Sequence, residues 1–129
     1  MLPSVVDDET DARELLVFIL EQAGAIVTSV ASAIEALQTL THSKIDLLIS
    51  DIGMPDVDGY MLMQQVQAQF AQKRKQISAF NQAMPKAIAL TAYAGEINQQ
   101  KAIAAGFQHH ISKPVEPAEL VTTIASLME

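Results

Sequence analysis

Short apolar runs alternate with stretches whose apolar positions recur every three or four residues, and this alternation repeats five times along the chain. Val5-Val6 predicts a brief buried strand that ends at Asp7-Asp8. Ala12, Leu15, Leu16, Ile19 and Ala23 then fall at helical spacing and predict a helix with these residues inward, stopped by Gly24. Ala25 to Val30 reads as a second strand. Ser32 is placed to cap the next helix, whose inner face is expected to use Ile34, Leu37 and Leu40. Ile45 to Ser50 is almost continuously apolar, as a strand covered on both faces should be.

The loop from Asp51 to Gly59 is punctuated by Gly53, Pro55 and Gly59. A helix follows, with Leu62, Met63, Val66 and Phe70 as its expected buried set. Ala71 to Pro85 is polar and reads as a helix end plus a longer loop, with Lys73-Arg74-Lys75 as a solvated basic cluster. Ala87 to Leu90 predicts a fourth strand ending at Thr91, then a shorter helix to about Ala105 with Gly106 beyond it. Phe107 to Ile111 predicts a fifth strand ending near Lys113-Pro114. Pro117 suits the first turn of a last helix, with Leu120, Ile124 and Leu127 inward. The start of the first strand is its least strand-like part. Pro3 lacks the ladder donor and fits only a strand's first residue, and Ser4 is a poor core residue.

Strict strand–helix alternation implies a parallel sheet with helices on both faces, because each crossover must return over the sheet. The expected fold is therefore α/β: a three-layer, doubly wound parallel sheet of five strands, in which the flavodoxin-like order 2-1-3-4-5, if adopted, would make strands one and three neighbours at the switch point. The length of 129 residues fits one domain over the whole chain, with no separate output domain. Half the residues are apolar, which favours a packed globule. The net charge of -7 repels phosphate backbones and argues against direct nucleic-acid binding. No cysteine is present, so disulfide and zinc–thiolate chemistry are excluded. The longest apolar run, Leu15 to Leu20, is too short to span a bilayer, and the start lacks the basic residues of a signal peptide. A soluble, cytoplasmic chain is expected.

In an open parallel sheet, ligands bind beyond the carboxyl ends of the strands. The polar residues there are Asp7 and Asp8 after the first strand, Asp51 after the third, Thr91 after the fourth and Lys113 after the fifth. Three converging carboxylates repel and need a positive neighbour. Oxygen donors without sulfur or imidazole suit a hard cation such as Mg²⁺. A metal, a lysine and a hydroxyl around one carboxylate suit an incoming phosphoryl group, whose transfer depends on placement and charge neutralisation.

With those residues in view, the chain resembles the receiver domains of response regulators and hybrid histidine kinases over nearly its whole length. The matching segments are Val5-Val6-Asp7-Asp8-Glu9, Leu47 to Gly59, Ala89-Leu90-Thr91-Ala92, Ala105-Gly106-Phe107 and Lys113-Pro114-Val115. Their order and spacing are far more specific than any one of them. The resemblance implies that Asp51 accepts a phosphoryl group from a sensor histidine kinase or a histidine phosphotransfer protein. It implies Mg²⁺ (or Mn²⁺) held by Asp7, Asp8, Asp51 and the backbone carbonyl of Gly53. Lys113 would pair with the acceptor and then the phosphate. Thr91 would carry the switch, with Ala92 opening the loop that moves with it. A cis Lys113-Pro114 bond is implied, as is a downstream effector surface on the fourth helix, fifth strand and fifth helix. The family usually has an aromatic residue where His110 stands, and imidazole is smaller and titratable.

Competing readings are weaker. Asp7-Asp8-Glu9 could simply favour the positive end of the next helix, and Thr91 could be an ordinary helix cap. His109 and His110 point to opposite faces of a strand and are not expected to share an ion. Met54, Met61 and Met63 read as packing, and Tyr93 as a border of the pocket mouth. An aspartyl-phosphate phosphatase would want a second aspartate two places after the nucleophile, where Gly53 stands. A flavin module would need a hydroxyl- and glycine-rich loop where Asp7 to Asp11 is acidic. A receiver-like binding module that is never phosphorylated is the remaining alternative.

Overall fold

A computed structural model describes residues 1–54, 57–76, 84–92 and 96–128. Strands and helices alternate without exception: β1 (Pro3–Val6), α1 (Thr10–Gln22), β2 (Thr28–Val30), α2 (Ala33–His42), β3 (Leu47–Asp51), α3 (Gly59–Gln76), β4 (Lys86–Thr91), α4 (Glu96–Ala105), β5 (His109–Ser112) and α5 (Pro117–Leu127). All strand pairs are parallel, in the order β2-β1-β3-β4-β5. This is the parallel sheet expected from the alternation, in the flavodoxin-like order.

The alternating faces of the strands explain the two cores. Val5, Leu47, Ile49, Ile88, Leu90 and Ile111 pack with Leu16, Ile19 and Leu20 of α1 and Leu120 and Ile124 of α5. Their neighbours Val6, Leu48, Ala87 and Ala89 pack on the other face with α2, α3 and α4. Leu62, Met63, Val66 and Phe70 are buried there, as their spacing predicts. Among the described residues, no helix is long and apolar enough to cross a membrane.

Several expected details are corrected. On α1, Leu15 is 49% exposed and Ala23 is also exposed, while Leu16, Ile19 and Leu20 are buried. On α2, Ile34 is 61% exposed, and the inner face is Ala33, Ala36 and Leu40 with Leu37 partly buried. Helices lie close against a sheet where small residues let the backbone approach, so alanine takes positions that hydrophobicity alone assigns to isoleucine. β2 is shorter than expected and β5 begins later, at His109. α3 continues to Gln76, so the basic triplet belongs to its last turns and not to a loop. Residues 77–83 of the expected loop, and Tyr93, lie outside the described residues.

The punctuation works as the side chains require. Ser32 accepts a hydrogen bond from the Glu35 amide at 3.3 Å, satisfying one orphan donor of α2. Gly24 and Gly106 close α1 and α4 at φ 90° and 114°, a region that side chains with a Cβ avoid. Pro117 opens α5, where its missing donor is not needed. Pro3 is the first residue of β1, the one strand position it tolerates.

Candidate functional site

Register levels the reactive groups at one sheet edge. Val6 pairs with Ser50, so Asp7 and Asp51, the next residues, end level on adjacent strands. Thr91 closes β4 opposite Ser112, which sets Lys113 one step beyond. The Lys113 amide donates to the Thr91 carbonyl at 2.7 Å and fixes that step. The Lys113-Pro114 peptide is cis.

Carboxylate oxygens of Asp7, Asp8 and Asp51 all lie within 4.8 Å of one another. Asp7 is fully buried and Asp51 nearly so, whereas Asp8 is exposed. The Lys113 Nζ lies 3.2 Å from Asp7 Oδ2 and 3.4 Å from Asp51 Oδ1. The Gly53 amide donates to Asp51 Oδ1 at 3.3 Å. Thr91 is buried at the end of β4, Ala92 is exposed beside it, and His110 is partly buried on β5. The fold thus brings the acids and the lysine into one cluster, with Thr91 at the same edge.

The electrostatics show an excess of negative charge. Burial raises the Asp51 pKa, and the Asp7 charge raises it further, against the opposing pull of Lys113 and the Gly53 amide. Burial pulls Lys113 down, but Asp51 and Asp7 outweigh it and leave its pKa raised. The two shifts differ in their leading cause: burial lifts Asp51, whereas the charges of Asp51 and Asp7 lift Lys113. An oxygen-only donor set with surplus charge fits a hard divalent cation, and Mg²⁺ takes few protein oxygens while keeping waters. The acids present therefore fit the ion that the sequence implies.

Sequence reasoning missed Arg13. Its Nη1 donates to the Asp7 carbonyl at 2.7 Å, and the Glu9 amide donates to Asp7 Oδ1 at 2.9 Å. The available signal was a lone arginine among Asp7, Asp8, Glu9, Asp11 and Glu14.

Comparisons with known proteins agree with this geometry. The family model for the response regulator receiver domain matches residues 4–125. The chain is 42% identical over 125 residues to an uncharacterized 14.6 kDa protein in the sodA1 3′ region of Leptolyngbya boryana, covering 93% of this chain and 84% of that one. It is 36% identical to response regulator Rre1 of Synechocystis, over 96% of this chain and 50% of that protein. It therefore spans about half the length of that regulator. Among solved structures, Vibrio cholerae chemotaxis protein CheY4 superposes with a TM-score of 0.83 at 26% identity, covering 97% of this chain and 96% of that one. A putative response regulator from Chloroflexus aurantiacus gives a TM-score of 0.83 at 30% identity, over 97% and 94% of the two chains. Sheet order, acidic edge and matched length lead to one conclusion: the chain belongs to the response regulator receiver domain family and has the fold of a two-component signalling module.

Proposed function

We propose that Asp51 accepts a phosphoryl group from a phosphohistidine on a sensor kinase or histidine phosphotransfer protein. The observation that carries this reading is the convergence of Asp7, Asp8 and Asp51 within 4.8 Å beside the Lys113 amine. Lys113 and the Gly53 amide both fall on Asp51 Oδ1, which leaves Oδ2 as the attacking oxygen. That oxygen bonds to phosphorus as the phosphorus–nitrogen bond to the donor imidazole breaks. The imidazole keeps the electron pair, and an acyl phosphate forms on Asp51.

Asp7, Asp8, Asp51 and the Gly53 carbonyl would hold Mg²⁺ or Mn²⁺. When bound, such an ion neutralises charge on the phosphoryl oxygens. Lys113 takes a second oxygen and the Thr91 hydroxyl a third. The added charge of about -1.5 to -2 shifts an existing equilibrium rather than creating a new state. Thr91 and Ala92 move with it, and the α4–β5–α5 surface presents the change to an effector. A phosphohistidine made from ATP places the exchange in the cytoplasm. Gly53, two places after Asp51, offers no general acid, so turnover of external phosphoesters is not expected.

The test is incubation with acetyl phosphate and Mg²⁺ followed by intact mass. One phosphoryl group should be added to the wild type, and none after chelation or in Asp51→Asn. Labelling that survives in Asp51→Asn would place the acceptor elsewhere and end this reading.

A further inference from the structure

Arg13 lies in the first turn of α1, four residues past the Glu9 cap. A cation there opposes the helix dipole, whose positive end favours acids. Its position needs another reason, and Asp7 supplies one. β1 ends at Val6 and its neighbour β2 at Val30, and among the described residues no backbone amide donates to the Asp7 carbonyl. Arg13 Nη1 donates to that carbonyl at 2.7 Å. The Asp7 amide donates to the Val30 carbonyl at 3.2 Å, and Asp7 Oδ1 accepts from the Glu9 amide at 2.9 Å. Oδ2 accepts from Lys113 at 3.2 Å. Every polar atom of Asp7 therefore has a partner, and among the described residues Arg13 alone holds its carbonyl.

We infer that Arg13 is a positioning residue: it fixes the turn after β1 so that the Asp7 and Asp8 carboxylates are pre-set for a divalent cation. The inference rests on the cation reading above. Without Arg13, Asp7 is anchored at its amide and by side-chain bonds that a cation must itself contest. A group acting through the residue that holds a metal typically changes affinity without touching the ion.

The sign of the effect separates this role from a simple charge effect. Removing a nearby cation should tighten divalent-ion binding if only charge matters. Loss of positioning should weaken it. The experiment is Mn²⁺ titration of the whole chain by water-proton relaxation, with melting temperature measured without metal. Arg13→Met, which keeps the apolar stem, should bind Mn²⁺ about tenfold more weakly than wild type while remaining folded at the assay temperature. Arg13→Lys, which restores a charged donor, should recover most of the affinity. Unchanged or tighter binding in Arg13→Met would overturn the inference, as would Arg13→Lys binding as weakly as Arg13→Met. Failure of the wild type to bind Mn²⁺ would remove the cation reading together with it.

Discussion

Gly59 packs against the Asp51 backbone so closely that a Cβ there would stand 2.8 Å from the Asp51 carbonyl oxygen. The same atom would stand 2.8 Å from Ile52 Cδ1. The Gly59 amide also donates to the Ile52 carbonyl at 3.0 Å. The start of α3 and the end of β3 thus share one tight junction. Gly59→Ala must push the two apart, and overpacking of this kind typically costs about 1–3 kcal/mol. A lower urea midpoint, with slower phosphorylation by acetyl phosphate, is the expected outcome.

Asp51→Asn should make the metal-free protein more stable at neutral pH. The raised pKa of Asp51 means that the unfolded chain loses this proton first. The folded state therefore binds more protons through the window above the ordinary carboxylate value of 3.8, and stability falls as pH rises across it. Asparagine removes that penalty. Chemical denaturation of both forms in chelator, at acidic and neutral pH, should show a gain that grows toward neutrality. Equal midpoints at neutral pH would contradict the raised pKa of buried Asp51.

His110 should give a second pH dependence of opposite sign. Burial lowers its pKa below 6.5, with the His109 charge adding to the shift. Its Nε2 is buried without a hydrogen-bond partner among the described residues. The unfolded chain therefore takes up the proton first as pH falls, and stability is lost as pH drops below 6.5 toward the folded value. In His110→Phe this component of the slope should vanish, measured as the melting temperature between neutral and mildly acidic pH. Nuclear magnetic resonance titration should place His110 below the ordinary histidine range.

Ser4 is buried within β1, and its hydroxyl has no hydrogen-bond partner among the described residues. An unsatisfied buried hydroxyl typically costs about 1–3 kcal/mol. Ser4→Ala removes it at little loss of volume and should raise the melting temperature while leaving phosphorylation unchanged. A lower melting temperature would mean that the hydroxyl has a partner, such as a bound water.

The parallel sheet and the polar residues of its edge were legible because apolar runs and helical spacing repeat cleanly, and because Asp7, Asp51, Thr91 and Lys113 each end a run, whereas the alternation alone left the strand order open. The buried face of α3 was read correctly, since Leu62, Met63, Val66 and Phe70 admit one helical face, although its end was placed too early. α1 and α2 were misread in part. On α1 the unbroken apolar run from Leu15 to Leu20 does not mark which stripe turns inward, and on α2 Ile34 outranks alanine in hydrophobicity although Ala33 and Ala36 take the inner face. Arg13 stands out by charge among the acids around it, but its contact was not legible because the partner is a backbone carbonyl, and every residue carries one.

β5 is the outermost strand, paired only with β4. Yet the lysine just past its end reaches across to acids beyond β4, on strands at the middle of the sheet. The rim is thereby leashed to the centre by charge as well as by its ladder. Chemistry that redraws the partners of that one amine tugs on the periphery directly, where another molecule can feel it.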